Sequence, residues 1–273
     1  MSHKMNLGAN ESNIQYHIGV SPGQVGEYVI LPGDPGRVEE IAGHLKNPQL
    51  IAENREYKTY TGELAGVRVS VTSTGIGGPS AAIAIEELIK CGARTFIRVG
   101  TCGGMQPDVM PGDVIITSAA IRAEGTSGEY LPPGYPACAD HEVTTALQHA
   151  AIDANLRYHI GIVHSKDSFY GQTEPDTMPT AELLKDSWNM YIRSGCLASE
   201  MEAAALFSVG QIRRVRVGAV MTVIWNPELQ KAGANQTEYR SNDRAITCAI
   251  GAIEKLLKTG DRGQGTGTSG LAG

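Results

Sequence analysis

Thr95-Phe96-Ile97-Arg98-Val99-Gly100-Thr101-Cys102-Gly103-Gly104 runs a stretch of apolar and β-branched residues into a glycine-rich turn, with one arginine inside the run. Consecutive apolar residues ended by glycine describe a strand buried on both faces. Runs of the same kind recur at residues 28–31, 67–72, 114–117, 159–163 and 217–223. Helical periodicity fills the intervals, at residues 37–44, 80–90, 141–154, 201–211 and 243–258. Strand and helix in alternation imply an α/β fold with a largely parallel sheet covered by helices on both faces. No internal repeat and no linker divide the chain, so residues 1–258 read as a single domain. Residues 259–273, rich in glycine, offer nothing to bury and read as a flexible tail.

Composition narrows the function classes. The chain has 273 residues, enough to bury a sizeable core, and a net charge of -6. That charge gives a nucleic-acid backbone no electrostatic partner, although local arginines still suit small anions. Five cysteines, at 91, 102, 138, 196 and 248, are widely spaced and form no C-x-x-C pair. This argues against a zinc knuckle, a redox motif or a disulfide framework. Residues 1–12 are polar, and no apolar run approaches membrane-spanning length. A cytoplasmic enzyme without a membrane partner is the expectation.

In an open α/β sheet, ligands gather where strand ends meet loops. Three such junctions carry chemistry here. In Leu31-Pro32-Gly33-Asp34-Pro35-Gly36-Arg37, bare backbone at Gly33 can approach an anion and Arg37 can supply a planar cationic fork. The same segment also fits an ordinary turn with an exposed arginine. Thr74-Gly75-Ile76-Gly77-Gly78-Pro79-Ser80 resembles a phosphate-cradling loop but lacks the Walker Gly-Lys-Ser/Thr ending, so it reads as a turn that lets strand, helix and ligand approach. In the third junction, Arg98 lies in an apolar strand. A buried guanidinium needs an anionic partner, either a carboxylate or a bound anion. Thr101 and the glycines after it add a hydroxyl and accessible amides.

Ser199-Glu200-Met201-Glu202-Ala203-Ala204-Ala205-Leu206-Phe207 sets two carboxylates around a methionine at the start of an Ala-rich helix. Ser199 and Glu202 have the spacing of a capping box. Alternatively, a carboxylate beside Met201 can accept two hydrogen bonds from a vicinal diol while the thioether packs under a sugar face.

Together, Gly33-Asp34-Pro35-Gly36-Arg37, residues 73–80, Arg98-Val99-Gly100-Thr101-Cys102-Gly103 and Ser199-Glu200-Met201-Glu202 resemble the trimeric-or-hexameric nucleoside phosphorylase family, the nearest branch being the uridine phosphorylases. The likeness runs in order from about residue 17 to about residue 257. It implies a three-layer α/β/α sandwich around a mixed, partly barrel-like sheet, with active sites completed across a dimer contact. It implies phosphate binding by Gly33, Arg37, Arg98 and Thr101, with Arg55 lent by the neighbouring subunit. It implies ribose binding by Met201 and Glu202, with the neighbour's His17 near the 5′-hydroxyl. Arg98, Glu202 and Arg37 would carry the catalysis. Phosphate is then the co-substrate, and no cofactor is required. In some relatives a potassium ion lies at the dimer contact, and Glu56, Ile76 and Ser80 fall at the corresponding positions. The oligomer implied is built from dimers, as a hexamer of three dimers.

Base recognition departs from the family pattern. Phe169 and Gln172, in His164-Ser165-Lys166-Asp167-Ser168-Phe169-Tyr170-Gly171-Gln172-Thr173-Glu174-Pro175, match the aromatic wall and the amide that read a pyrimidine edge. A proline expected before Gly171 is missing, and Glu174 stands where an arginine is usual. An ionised carboxylate cannot donate to a uracil carbonyl, so another group makes that contact or Glu174 points away. The purine branch's aspartate is absent from Met221-Thr222-Val223-Ile224-Trp225-Asn226-Pro227, which favours the pyrimidine branch. Ile224 and Trp225 are placed at the base, with Trp225 alternatively a packed core residue, and Pro227 replaces a second arginine of some relatives. The expected reaction is uridine plus phosphate giving uracil and ribose 1-phosphate. The alternatives are a phosphorylase for a purine or deoxy-pyrimidine nucleoside, a nucleoside hydrolase, and a non-catalytic nucleoside-binding protein.

Overall fold

Ten strands and eight helices alternate through residues 13–260, the part of the chain that the computed structural model describes. In chain order they are β1 (Tyr28–Pro32), α1 (Gly36–Ala42), β2 (Lys46–Asn54), β3 (Tyr57–Leu64), β4 (Val67–Thr72), α2 (Gly78–Lys90), β5 (Thr95–Gly104), β6 (Val114–Ala123) and β7 (Ala137–Cys138). There follow α3 (His141–Asp153), β8 (Tyr158–Lys166), α4 (Phe169–Thr173), α5 (Ala181–Arg193), β9 (Ala198–Glu200), α6 (Ala203–Arg213), β10 (Arg216–Trp225), α7 (Pro227–Lys231) and α8 (Asp243–Gly260). The polar segment 1–12 and most of the tail, residues 261–273, lie outside the described residues.

The strands make one mixed sheet. β5, β10, β6, β8 and β9 pair in a ring that closes on itself, and β1, β4, β3 and β2 continue outward from β5 as an open extension. Parallel pairing joins β1 to β4 and β5, β5 to β10, and β8 to β6 and β9. Antiparallel pairing joins β6 to β10, β5 to β9, and the β2, β3, β4 meander. The sheet is therefore mixed, where alternation alone implied a largely parallel one. The antiparallel pairs come from the β2–β3–β4 meander, from the short β9 on β5, and from β6 on β10, a pairing between two apolar strands whose direction their composition does not reveal.

Two apolar clusters lie on the two faces of this sheet. One packs Ala81, Ile85 and Leu88 of α2 against Ala203, Leu206 and Phe207 of α6. The other gathers Val38 and Ile41 of α1, Val143 and Leu147 of α3, and Ala249 and Ile253 of α8. The result is the three-layer α/β/α arrangement with a partly closed barrel. Helix α6 is buried at every residue from Ala203 to Gly210, which explains why that segment has no polar stripe. Each fully buried Phe or Leu there contributes about 2 kcal/mol to folding.

Several elements differ from the periodicity reading. β2 and β3 are strands although their segments are polar; β2 is the exposed edge, with two register irregularities and Pro48. Helix α5 has no buried residue, and Leu183 and Met190 on it are exposed. α4, α7 and β9 are short, so each depends on local hydrogen bonds more than on a pattern. Helix α6 begins at Ala203, two residues later than the pattern suggests. Among the described residues no helix is long and apolar enough to cross a membrane.

Candidate functional site

Strand ends on one side of the barrel open onto a cavity of about 1010 Å³. The turn after β1 brings Gly33 and Arg37, the end of β5 brings Arg98 and Thr101, and the β9–α6 junction brings Met201 and Glu202. β8 and α4 bring Lys166, Phe169 and Gln172, while the end of β10 brings Ile224 and Trp225 and the start of α7 brings Pro227. Glu56, Ile76 and Ser80 line the same space. Residues scattered over nearly two hundred positions thus meet where the parallel strands β1, β5 and β10 end beside the ends of β8 and β9, which run the opposite way.

At one end, Arg98 is only 5% exposed and its guanidinium Nη2 donates to Glu202 Oε2, a buried ion pair. Nη1 reaches Thr74 Oγ1 at 3.4 Å, and Nε is buried with no hydrogen-bond partner among the described residues. Of the two partners open to a buried arginine, the structure shows the carboxylate, with a donor left over. The second oxygen of Glu202 accepts from the backbone N–H of Gly77 at 2.7 Å. Gly77 has φ 92°, a conformation that needs glycine and that aims this amide at the carboxylate. Gly33 has a different constraint: a Cβ there would sit 3.2 Å from the Gly75 carbonyl oxygen and 3.4 Å from Arg98 Nη1. Its bare backbone keeps the space in front of the arginine open.

Ser199 is not a helix cap. It lies in β9, and Glu202 occupies the N-cap position of α6 with no side-chain cap bond. The first amides of the helix donate elsewhere: Glu202 N and Ala203 N to Glu200 Oε2 (2.8 and 2.9 Å), and Ala204 N to Ser165 Oγ (3.0 Å). Ser165 Oγ donates in turn to Glu200 Oε1. Glu200, which the sequence placed beside the methionine without a separate role, is the carboxylate that anchors the helix. This leaves Glu202 free of the capping duty. Burial and the neighbouring Glu202 charge push the Glu200 carboxyl above its ordinary range, opposed by these donors and by Arg98.

The other end is built from side chains. Ser199 Oγ donates to Gln172 Oε1 (2.5 Å), accepts from Lys166 Nζ (2.9 Å) and lies 3.3 Å from His164 Nδ1. Burial, and then the Lys166 charge, bring His164 down to about 4, so its imidazole is neutral near pH 7. Phe169 is 55% exposed, an aromatic face presented to the cavity. Trp225 lines the cavity too, its indole N–H donating to Gln230 Oε1 at 3.2 Å. It is a wall of the cavity, not a packed core residue. Glu174 is exposed and is not among the lining residues, so it points away.

His17 and Arg55 lie outside this cavity, close to each other. The Arg55 guanidinium sits 5.6 Å from the centre of the Tyr16 ring, Tyr16 packs edge-on against His17, and Asn54 Nδ2 donates to the His17 carbonyl at 2.7 Å. His17 Nδ1 pairs with Glu87 Oε1 at 2.7 Å. The chain therefore assembles thirteen of its fifteen expected site residues in one cavity and holds the other two as a separate pair. Lys166 is a participant that motif reading did not single out, whereas Ser199 was read as a possible cap and Glu200 as one of two carboxylates beside Met201. Lys166 could have been found by the signal that exposed Arg98, a cation closing an apolar strand.

Comparison with known proteins identifies the family. Residues 27–258 match the model of the phosphorylase superfamily. The chain is 52% identical to the uridine phosphorylase of Treponema pallidum (strain Nichols) over 250 residues, 92% of this chain and 96% of that one. It is 49% identical to the uridine phosphorylase of Thermococcus kodakarensis over 83% of both chains. It is 38% identical to a guanosine phosphorylase of Halorubrum lacusprofundi, over 89% of this chain and 95% of the relative. With a barrel-centred sandwich, a glycine-and-arginine turn facing a buried carboxylate, and matches spanning nearly the whole described chain, this protein belongs to the phosphorylase superfamily.

Proposed function

We propose that the cavity carries out phosphorolysis of a nucleoside, with uridine and phosphate giving uracil and ribose 1-phosphate. The observation that carries this reading is the meeting, in one cavity, of Gly33, Arg37, Arg98 and Thr101 with Met201 and Glu202 on one side and Phe169 and Gln172 on the other. An anion site, a diol grip and an aromatic wall are the three parts the reaction needs. The names of the relatives support the pyrimidine substrate.

As the glycosidic bond breaks, C1′ gains oxocarbenium character and the departing base gains negative charge. Phosphate held by the arginines attacks the opposite face, and Glu202 fixes the ribose hydroxyls so that nucleophile, C1′ and base align. No covalent nucleophile on the protein is needed. The Arg98–Glu202 pair gives each partner a counter-charge; phosphate can take the carboxylate's place at Arg98, and the ribose hydroxyls can donate hydrogen bonds to Glu202. His17 and Arg55, set side by side away from the cavity, suit a neighbouring subunit's site, which supports a dimer-built oligomer such as a hexamer of three dimers. Glu56 and Ser80 offer oxygen donors beside Gly75, whose added Cβ would meet both, and with the Ile76 carbonyl they suit a potassium ion at that contact. The five free thiols suit the cytoplasm.

A panel of uridine, thymidine, deoxyuridine, inosine, adenosine and guanosine, each with and without phosphate, tests the reading. Uridine is expected to release its base only when phosphate is present. Base release in phosphate-free buffer would point to hydrolysis, and guanosine or inosine reacting while uridine stays inert would overturn the pyrimidine assignment.

A further inference from the structure

Glu87 lies on α2 with 7% exposure, among the buried residues Ala84, Ile85 and Leu88. A buried carboxylate needs donors, and among the described residues this one finds them in a single turn of chain far from it in sequence. Its Oε2 accepts from the backbone N–H of His17 at 3.0 Å and of Ile18 at 2.9 Å, and its Oε1 accepts from the His17 ring at Nδ1, 2.7 Å away. The His17 N–H also approaches Oε1 at 3.3 Å. One oxygen therefore holds the backbone of the turn, and the other holds the imidazole. No step of phosphorolysis as derived above engages this carboxylate directly.

The turn around the ring is fixed on its inner side. Ile18 and Val20 bury their side chains in the core, the Gln15 carbonyl accepts from the Gly19 N–H at 3.0 Å, and Asn54 Nδ2 donates to the His17 carbonyl at 2.7 Å. Tyr16 packs edge-on against the imidazole. A carboxylate only accepts, so Nδ1 carries the proton, and in the neutral ring Nε2 is left with a lone pair. That nitrogen has no hydrogen-bond partner among the described residues, and the His17 side chain is 29% exposed. The two side chains set outside the cavity thus differ in what they can bind. Arg55 only donates and suits an anion, whereas His17, held this way, accepts at Nε2 and suits a hydroxyl.

We propose that Glu87 is a positioning residue that acts through His17: it fixes the Nδ1–H tautomer, so that Nε2 accepts a hydrogen bond from the 5′-hydroxyl of a nucleoside in the neighbouring subunit's cavity and selects substrates that carry that proton. The proposal rests on the nucleoside phosphorolysis reading above, including the neighbour's site to which His17 and Arg55 belong. Glu87 touches neither substrate nor phosphate. Its contribution is the direction in which one hydrogen bond runs.

The test compares wild type, E87Q, H17A and H17A/E87Q on uridine and 5′-deoxy-5′-fluorouridine, whose fluorine nearly matches a hydroxyl in size but has no proton to give. In E87Q the amide oxygen can keep the two backbone bonds while its NH₂ faces Nδ1, which turns the ring to the other tautomer and makes Nε2 a donor. Wild type is expected to prefer uridine about tenfold in kcat/KM, and E87Q to cut that preference to about twofold by losing activity on uridine alone. H17A/E87Q should be no worse on uridine than H17A, because Glu87 acts through the ring. Equal losses of E87Q on the two substrates, or losses that add in the double variant, would leave Glu87 as a fastening of the turn and overturn the role. Wild type decides even where E87Q does not fold: activity on both nucleosides without a preference for uridine overturns the proposal and leaves the phosphorolysis reading standing. Wild type inert toward both with phosphate present would instead mean that the phosphorolysis reading itself is wrong, and the proposal with it.

Discussion

The two ends of the cavity are made of different material. The end with Arg98 is backbone and buried charge: Gly33 left bare, Gly77 donating its amide, and Glu202 paired to the arginine. The end with Lys166 is a relay of side chains through one hydroxyl, Ser199, next to the five-residue helix α4. A site fixed by backbone turns on parallel strands cannot change without changing the fold. A relay of side chains can be rewired by single substitutions, so the base is where members of one family can diverge.

The largest expected effect tests the rigid end. Glu202→Gln keeps the shape and removes the charge; kcat/KM for uridine should fall about 1,000-fold without weaker phosphate binding, because Arg98 loses its internal competitor. Steady-state kinetics with both substrates varied would show it, and near-wild-type turnover would reduce Glu202 to a structural partner of Arg98. Acid should strike the other end next. His164 stays neutral in the folded protein down to about 4, whereas its unfolded value is 6.5. Between those values the unfolded chain takes up a proton that the folded one refuses, so stability falls as pH falls. Urea unfolding from pH 7 to 4 should show wild type losing about 3 kcal/mol more than His164→Phe. Parallel losses would show that acid does not single out this end.

Ser199→Ala is the more selective probe. Cutting the relay should raise KM for uridine or lower kcat by about tenfold in all, leaving KM for phosphate where it was. Equal damage to both substrates would mean that the two ends are not separable. Glu174→Ala should do least, changing kcat/KM within about twofold, since the residue is exposed and off the cavity wall. A larger loss would place Glu174 in the site after all.

The same contrast explains what was legible beforehand. Arg98 announced itself because a cation in an apolar strand violates the pattern around it, and Gly33 and Arg37 because turn chemistry is local. The barrel did not, since ring closure depends on β5 pairing with β10 across more than a hundred residues. β2 and β3 were hidden by their polar composition, β2 being an edge with little to bury. Ser199 misled for a physical reason: a serine three residues before a glutamate suits a cap, yet the cap's duty passed to Glu200 and Ser165, which reach the helix from neighbouring strands. Lys166 was in plain view, but its meaning depends on which carboxylates are already engaged, and only packing decides that.

Closure of the β5–β10 pair also sets an order on biosynthesis. β5 carries Arg98 early in the chain, but Glu202 and the strand that seals the ring, ending at Trp225, are translated more than a hundred residues later. Until they leave the ribosome, the nascent chain holds an apolar strand with an open edge and a guanidinium lacking its counter-charge. The N-terminal half therefore cannot settle into a finished core ahead of the rest, and its release from early truncation would yield a sticky fragment rather than a smaller folded domain.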